Sequence, residues 1–479
     1  MLSLKNNVWV YALSVLFIIL NVFFIAAYDN FYLTLLPFAA LITLAALFNL
    51  DKLWLLVVFC TPLSFNLEYL GVDFGLYLPT EPLLFGILVV FIFNQIYKPT
   101  VKRELLFHPI SVAIIFYLGW IFMTSLTSVS PLVSIKFFIA KLWLIIPVFY
   151  FGVLVMKNKK NMYRYMWAYA VPLIAVILYT LVRHGARGFS EEAGHWVMSP
   201  FFKDHTSYGA VLAMFFPMFL SMSFYKKETP VNRLIWQVFT FILFIGIIFS
   251  YTRAAWLSLV LAAGVYACIK LKIKFKWLLT AFIGFILALA PFYTSIKQDM
   301  ERNKQDSSDN FSDHVTSASN ISTDASNLER INRWNCAIRM FQDKPVFGFG
   351  PGTYMFEYAP YQHSSELTII STNMGTGGNA HSEYLGPLAE TGFIGMFSVL
   401  FLVGMIFYKS ITLYIKLEDP ELKRIVMFLT LGLLTYFVHG VLNNYLDTDK
   451  ASIPVWGFLA IIVSIDLYHK KKENSIEFP

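Results

Sequence analysis

Along its 479 residues the chain repeats one pattern: an apolar run close to the length that spans a bilayer, then a short polar interruption. Runs of about twenty apolar residues match the hydrocarbon core of a membrane, so the pattern predicts spanning helices. Spans are expected near 8–27, 31–48, 53–67, 80–97, 109–128, 132–156, 163–183, 205–225, 233–250, 254–270, 275–294, 391–410, 423–443 and 451–468. The 53–67 stretch is short and holds Pro62, which predicts a broken or re-entrant segment, so the expected total is about 12–14 transmembrane helices. The first run is long for a signal-peptide core and lacks a small-residue cleavage site after it, which predicts a retained helix. The domain plan is then 1–294, N-terminal helices with a short polar loop at about 184–204; 295–390, a large loop; and 391–479, C-terminal helices and a tail.

Composition agrees with an all-α polytopic membrane protein. Hydrophobic residues make up 57% and charged residues 14%, too little charge to coat a water-soluble particle of this size. The net charge of +7 does not imply a nucleic-acid partner, because the cations fall in short loops between apolar runs. One alternate set of loops holds Lys98, Lys102 and Arg103; Lys157, Lys159, Lys160 and Arg164; Lys226, Lys227 and Arg233; Lys270, Lys272, Lys274 and Lys276; and Lys409, Lys416, Lys423 and Arg424. The tail adds Lys470, Lys471 and Lys472. The positive-inside rule makes this set cytoplasmic, with both termini inside and the segments 184–204 and 295–390 outside. Cys60 and Cys268 lie in apolar runs and Cys336 in a polar one, where it is expected to be free; the three form no disulfide or metal framework.

The large outer loop changes character along its length. Asn303 to Asn327 is rich in Ser, Asp and Asn and is expected to be loosely ordered. Ile331, Trp334, Ile338 and Phe341 then recur at helical spacing and predict an amphipathic helix. The run Lys344-Pro345-Val346-Phe347-Gly348-Phe349-Gly350-Pro351-Gly352 ends it in a tight turn, expected to expose its backbone.

Residues able to carry chemistry gather on this outer side. Arg253 stands in Tyr251-Thr252-Arg253-Ala254-Ala255-Trp256 between two apolar helices, where the alternatives are an interfacial arginine and an anion ligand. Arg330 and Arg333 are three apart and can share a helix face; guanidinium groups grip phosphate oxygens in pairs, which makes a phosphorylated ligand the alternative to a solvated face. Arg339 lies on the same segment. His381, in Gly377-Gly378-Asn379-Ala380-His381-Ser382-Glu383-Tyr384, is either a packed interfacial histidine or a base for a hydroxyl nucleophile. The shorter loop holds Arg183, His184, Arg187, Glu191, Glu192, His195, Lys203, Asp204 and His205; their spacing fits no standard metal site, and a polar rim for a substrate is preferred. Lys136 and Lys141 fall inside an apolar run, Lys136 near its outer end and Lys141 deeper, where a buried partner is an equal alternative. There is no nucleotide-binding, zinc-protease or serine-hydrolase motif, and no cofactor is expected.

Taken together these features resemble the O-antigen ligase and polymerase superfamily of bacterial membrane glycosyltransferases. The resemblance covers about 200–400 and rests on the Tyr251–Trp256 turn, Arg330-x-x-x-Trp334 followed by Lys344–Gly352, and His381-Ser382 followed by Gly392 and Gly395. Ser382 departs from the asparagine more usual after the histidine. The resemblance implies a GT-C-like bundle with a large periplasmic loop in the bacterial inner membrane, transferring a glycan from undecaprenyl diphosphate without a metal. In that reading His381 is catalytic, and Arg253, Arg330, Arg187 and Lys136 hold the diphosphate. Arg333, Lys203, His205 and Tyr384 form a possible substrate rim. The acceptor would be lipid A–core in a ligase, or another glycan or a protein in a polymerase or O-oligosaccharyltransferase. A transporter for the lipid-linked sugar is the alternative from another class.

Overall fold

The structure, a computed structural model, describes residues 7–71, 75–273, 280, 325–368, 371 and 378–470. Among these, eleven helices are long and apolar enough to cross a membrane, and the chain is an all-α multi-pass membrane protein. It divides into two compact units, Met1–Leu56 and Val57–Pro479. The first unit holds α1 (Asn7–Tyr28) and the shorter α2 (Leu36–Phe48); Thr34 Oγ1, in the 3-10 turn before α2, donates to Asn21 Oδ1 on α1 at 3.0 Å. Large apolar side chains along α1, such as Leu16 and Phe23, are exposed, as a lipid-facing surface requires.

Helix α3 (Leu50–Cys60) runs into the second unit and stops before a 3-10 turn at Thr61–Leu63, so the 53–67 run is broken at Pro62. Two-residue strands, β1 (Phe65–Asn66) and β2 (Tyr77–Leu78), pair antiparallel and return the chain to α4 (Thr80–Tyr97). There follow α5 (Pro109–Leu126); α6 (Pro131–Ile145), prolonged by a π turn at Ile146–Phe151; α7 (Lys159–Gly185); α8 (His205–Ser223); α9 (Pro230–Ile248); and α10 (Arg253–Lys270). After the undescribed stretch come α11 (Ala325–Asp343), α12 (Leu385–Lys416), α13 (Pro420–His439) and α14 (Asp449–Ser464), which continues as a π turn to His469. The predicted span 275–294 and the polar stretch 303–327 lie outside the described residues, apart from Thr280 and the start of α11.

Local chemistry sets the helix starts. Asp204, Thr229 and Asp419 cap α8, α9 and α13 by accepting backbone N–H bonds, and proline occupies the first turn of α9 and α13. Helix α14 is buried throughout, so its polar first turn needs partners from other elements. Asp449 accepts hydroxyl bonds from Ser64 and Thr80, and Lys450 donates to the carbonyls of Thr61 and Ser64, which pins the β-hairpin region to α14. Helix α8 packs between α9 and α13, α10 packs on α13, α12 on α5, and α11 on α12. The α8–α13 approach is close enough that a Cβ on Gly432 would fall 2.4 Å from the Met214 carbonyl oxygen.

Candidate functional site

Four connections meet at one end of the bundle: the α7–α8 loop, the α9–α10 turn, the α13–α14 loop and the segment entering α12. The α9–α10 turn holds Tyr251 at φ +49°, a left-handed conformation rare for a bulky residue. Two bonds fix it: Thr252 Oγ1 donates to the His205 carbonyl at 2.8 Å, and Tyr251 Oη donates to the Phe189 carbonyl at 2.9 Å. Arg253, the first residue of α10, is thereby brought beside His205, the first residue of α8. The His205 ring stacks on His195 with centroids 4.3 Å apart, and both Arg253 and Arg330 lie within its electrostatic range.

Arg330 and Arg333 leave α11 with different surroundings. Arg330 is half-buried and donates Nε to the Leu442 carbonyl at 3.3 Å, on the α13–α14 loop. Arg333 is 3% exposed, donates Nε to Glu329 at 2.6 Å and lies 4.0 Å over the Tyr358 ring. Arg333 is the arginine expected on a substrate rim. Its guanidinium instead fills the space beside Gly378, where a Cβ would fall 1.8 Å from Nη1. One glycine ahead of the histidine is thus required by a packed arginine. Arg339 is also engaged within the loop, with the Tyr361 carbonyl and Glu366 at 2.6 Å each.

His381 follows this segment at φ +47°. Its N–H donates to Asn379 Oδ1 at 3.0 Å, and its carbonyl accepts from Trp334 Nε1 at 3.4 Å. Strain of this kind persists only where neighbours over-determine the backbone. Burial, then Arg330 and Arg333, lower the imidazole pKa to about 4, against the opposing effects of Glu329 and Asn443. The ring is therefore neutral at pH 7 and able to accept a proton.

The same segment lines a cavity of about 360 Å³, to which Asn379, Ser382 and Glu383 contribute together with Lys141, Lys203 and Asp447. Lys141 is buried, paired with the exposed carboxylate of Asp447 in the cavity wall, and donates to the Leu446 carbonyl. Glu383 accepts from Tyr436 Oη at 2.6 Å and from the amides of Tyr445 and Leu446 at 2.7 and 2.9 Å. Burial and the nearby Asp447 raise its pKa. Tyr384 Oη donates to the Phe437 carbonyl at 2.9 Å. These bonds make the 381–384 segment and the α13–α14 loop one assembly.

Lys203 is exposed in the cavity wall. Arg187 is exposed on the α7–α8 loop, 4.6 Å over the Trp196 ring, and donates to the Arg183 carbonyl. Lys136 is exposed on α6 and forms no ion pair among the described residues. The structure thus groups Arg253, Arg330, His205 and His381, and no hydrogen bond or ion pair joins Arg187 or Lys136 to that group among the described residues.

Two features differ from the sequence expectation. The glycine-rich turn is buried from Gly348 to Pro351, and its backbone is spent on docking. Phe349 N and Gly350 N donate to the Ala389 and Glu390 carbonyls, and Phe393 N to the Pro345 carbonyl. Gly350, at φ +116°, lies so close to the α5–α6 connection that a Cβ would fall 1.9 Å from Ser128 Oγ; Gly392, at φ +71°, supplies the break in α12 that receives the turn. The second difference is at α13, which ends at His439 and frees 440–443 from the expected span. This places buried His439 within electrostatic range of Arg330 and His205, and Asn443 near His381. The polar run Asn443-Asn444-Tyr445 between two apolar stretches was the available signal. Among the described residues no three His, Cys, Asp or Glu side chains converge to share a metal ion.

Residues 238–400 match the family described as O-antigen ligase, and the match supports the O-antigen ligase and polymerase superfamily. The matched stretch includes the Arg253 turn, α11, the docked turn, His381 and the first half of α12. No curated protein matches the chain.

Proposed function

We propose, from that match, that the chain is a metal-independent, inverting glycosyltransferase of the O-antigen ligase type. It moves a glycan from undecaprenyl diphosphate to a hydroxyl of lipid A–core at the periplasmic face of the bacterial inner membrane, with both termini cytoplasmic. The observation that carries the reading is the convergence of Arg253 and Arg330 around His205, with His381 held neutral next to Arg330. The acceptor oxygen attacks the anomeric carbon, its proton passes to the His381 ring, and the bond from that carbon to the diphosphate oxygen breaks with its electron pair leaving on that oxygen of the lipid diphosphate. Fixed guanidinium groups stabilise the charge that grows on the leaving diphosphate. The same charge offsets the arginine field that adds to burial in keeping His381 unprotonated, so the imidazole becomes a stronger base when the donor is bound. Lys203 and the cavity beyond Asn379 suit the polar part of a glycan or acceptor.

The test is glycan transfer in proteoliposomes with lipid-linked donor and lipid A–core, comparing wild type with His381→Ala and Arg330→Ala. Product from wild type alone, with both variants folded, supports the ligase reading. Extension of the donor into longer chains replaces it with a polymerase, and a glycosylated protein acceptor with an O-oligosaccharyltransferase. Donor that crosses the bilayer without any product replaces the enzyme with a transporter.

A further inference from the structure

A second cavity, of about 590 Å³, lies between α8, α10 and α13 at the end of these helices opposite the arginine–histidine group. Each of the three helices has one end at the candidate site, through His205, Arg253 and His439, and sends its other end here, to Ser223, Lys270 and Pro420. The walls are apolar, with Phe216, Leu220, Leu259 and Phe428 among them, and two cations close one end, Lys270 and Arg424. Phe224 and Ala263 at its margin are exposed, so the cavity is a groove in the lipid-facing surface of the bundle.

The cations are held in an arrangement that suits an anion. Arg424 Nη1 donates to the Ser221 carbonyl at 3.2 Å and to Ser221 Oγ at 2.9 Å, and its guanidinium lies 3.7 Å over the Tyr225 ring. Those contacts fix the plane of the fork. Nε and Nη2, the other two nitrogens, are buried with no acceptor among the described residues. Buried guanidinium donors normally have acceptors, and the two of one fork match two oxygens of a phosphate. Lys270 is exposed at the same end, 5.6 Å from the Tyr266 ring centroid, and no carboxylate pairs with either cation among the described residues. The nearest acid on α13, Glu421, is taken by Lys159 at 3.1 Å and by Tyr163.

We propose that this groove is a binding site for an anionic glycerophospholipid: one acyl chain lies along the apolar wall, and the phosphate accepts from Arg424 with Lys270 as the second charge. A basic pocket between spanning helices at one membrane surface has the chemistry of an anionic headgroup site. A zwitterionic lipid fits less well, because its ammonium group would meet two cations.

The experiment is native mass spectrometry of the delipidated full-length chain in detergent, titrated with dioleoylphosphatidylglycerol or dioleoylphosphatidylcholine. Wild type is expected to retain phosphatidylglycerol over phosphatidylcholine. Lys270→Gln should weaken that retention about fivefold, the factor expected for losing one surface cation. Ala263→Trp keeps both cations and fills the groove, and should lose the retained lipid while melting as wild type does in lipid-free detergent. Equal retention of the two lipids, or phosphatidylglycerol retention unchanged in both variants, overturns the proposal.

Discussion

Replacing Arg330 tests whether charge, beyond burial, sets the state of His381. The imidazole falls from 6.5 to about 4, with burial the largest cause and Arg330 the next. That difference corresponds to about 3 kcal/mol against the charged ring. Arg330→Met keeps most of the burial and removes the first of the two cations, so the midpoint should rise by about one pH unit toward 6.5. Arg330→Lys keeps the charge and should leave the midpoint near 4. Diethyl pyrocarbonate acylates only the neutral imidazole, so the modification rate of the His381 peptide, followed by mass spectrometry from about pH 3 to 8, reads the titration without depending on activity. The stability sign follows from the same shift. The folded pKa lies below the unfolded one, so the unfolded chain binds the proton first, and the stability present above pH 6.5 is lost as pH falls toward 4. A midpoint near 6.5 in wild type, or the same midpoint in Arg330→Met and Arg330→Lys, would refute the reasoning.

Gly350→Ala should cost about 2–5 kcal/mol, from left-handed strain and the overlap with Ser128 Oγ, seen as a lower thermal midpoint in detergent. Adding Ser128→Gly should recover only part of the loss, since Ser134 Oγ stays 2.8 Å from the added Cβ, and an unchanged midpoint in the single variant would show that the turn is not docked as described. Arg333→Ala breaks a pair buried on both sides and should destabilise by about 3–5 kcal/mol. Arg330→Ala should change stability by only about 1 kcal/mol while glycan transfer is lost; equal melting of wild type and Arg333→Ala would remove the distinction drawn between the two arginines. Asp447→Asn removes the counter-charge of buried Lys141, and a double-mutant cycle with Lys141→Met should return a coupling of about 1–3 kcal/mol. A coupling near zero would mean that the cavity wall does not depend on the pair.

Much of the architecture was legible one helix at a time. Apolar length located the spans, and Pro62 marked the break after Cys60. The spacing of Ile331, Trp334, Ile338 and Phe341 located α11. Arg253 and His381 stood out as polar groups at the edge of apolar runs on the side poor in cations, and Arg330 as an arginine three residues from Arg333 on one helix face. Helix ends were less legible, since Gly440 to Asn443 continues an apolar pattern that the chain abandons at His439.

What the sequence determines by itself is therefore local: the length of each apolar segment, the capping residues that start the helices, and the set of polar groups a membrane protein retains. These depend on a residue and its near neighbours along one chain direction. The tertiary structure alone decides which of those groups meet. Arg330 and Arg333 are indistinguishable by helical spacing, yet one reaches the Leu442 carbonyl and the other is buried against Glu329 and Tyr358. Gly350 and Gly378 look like turn residues, and their requirement comes from Ser128 and from Arg333, which are distant in sequence. His439 and Glu383 acquire neighbours only because α13 and the segment before α12 pack at the same end of the bundle. A polar side chain in a low-dielectric interior takes its ionisation and its geometry from its partners, and partners on other helices are set by packing, which no window of sequence contains.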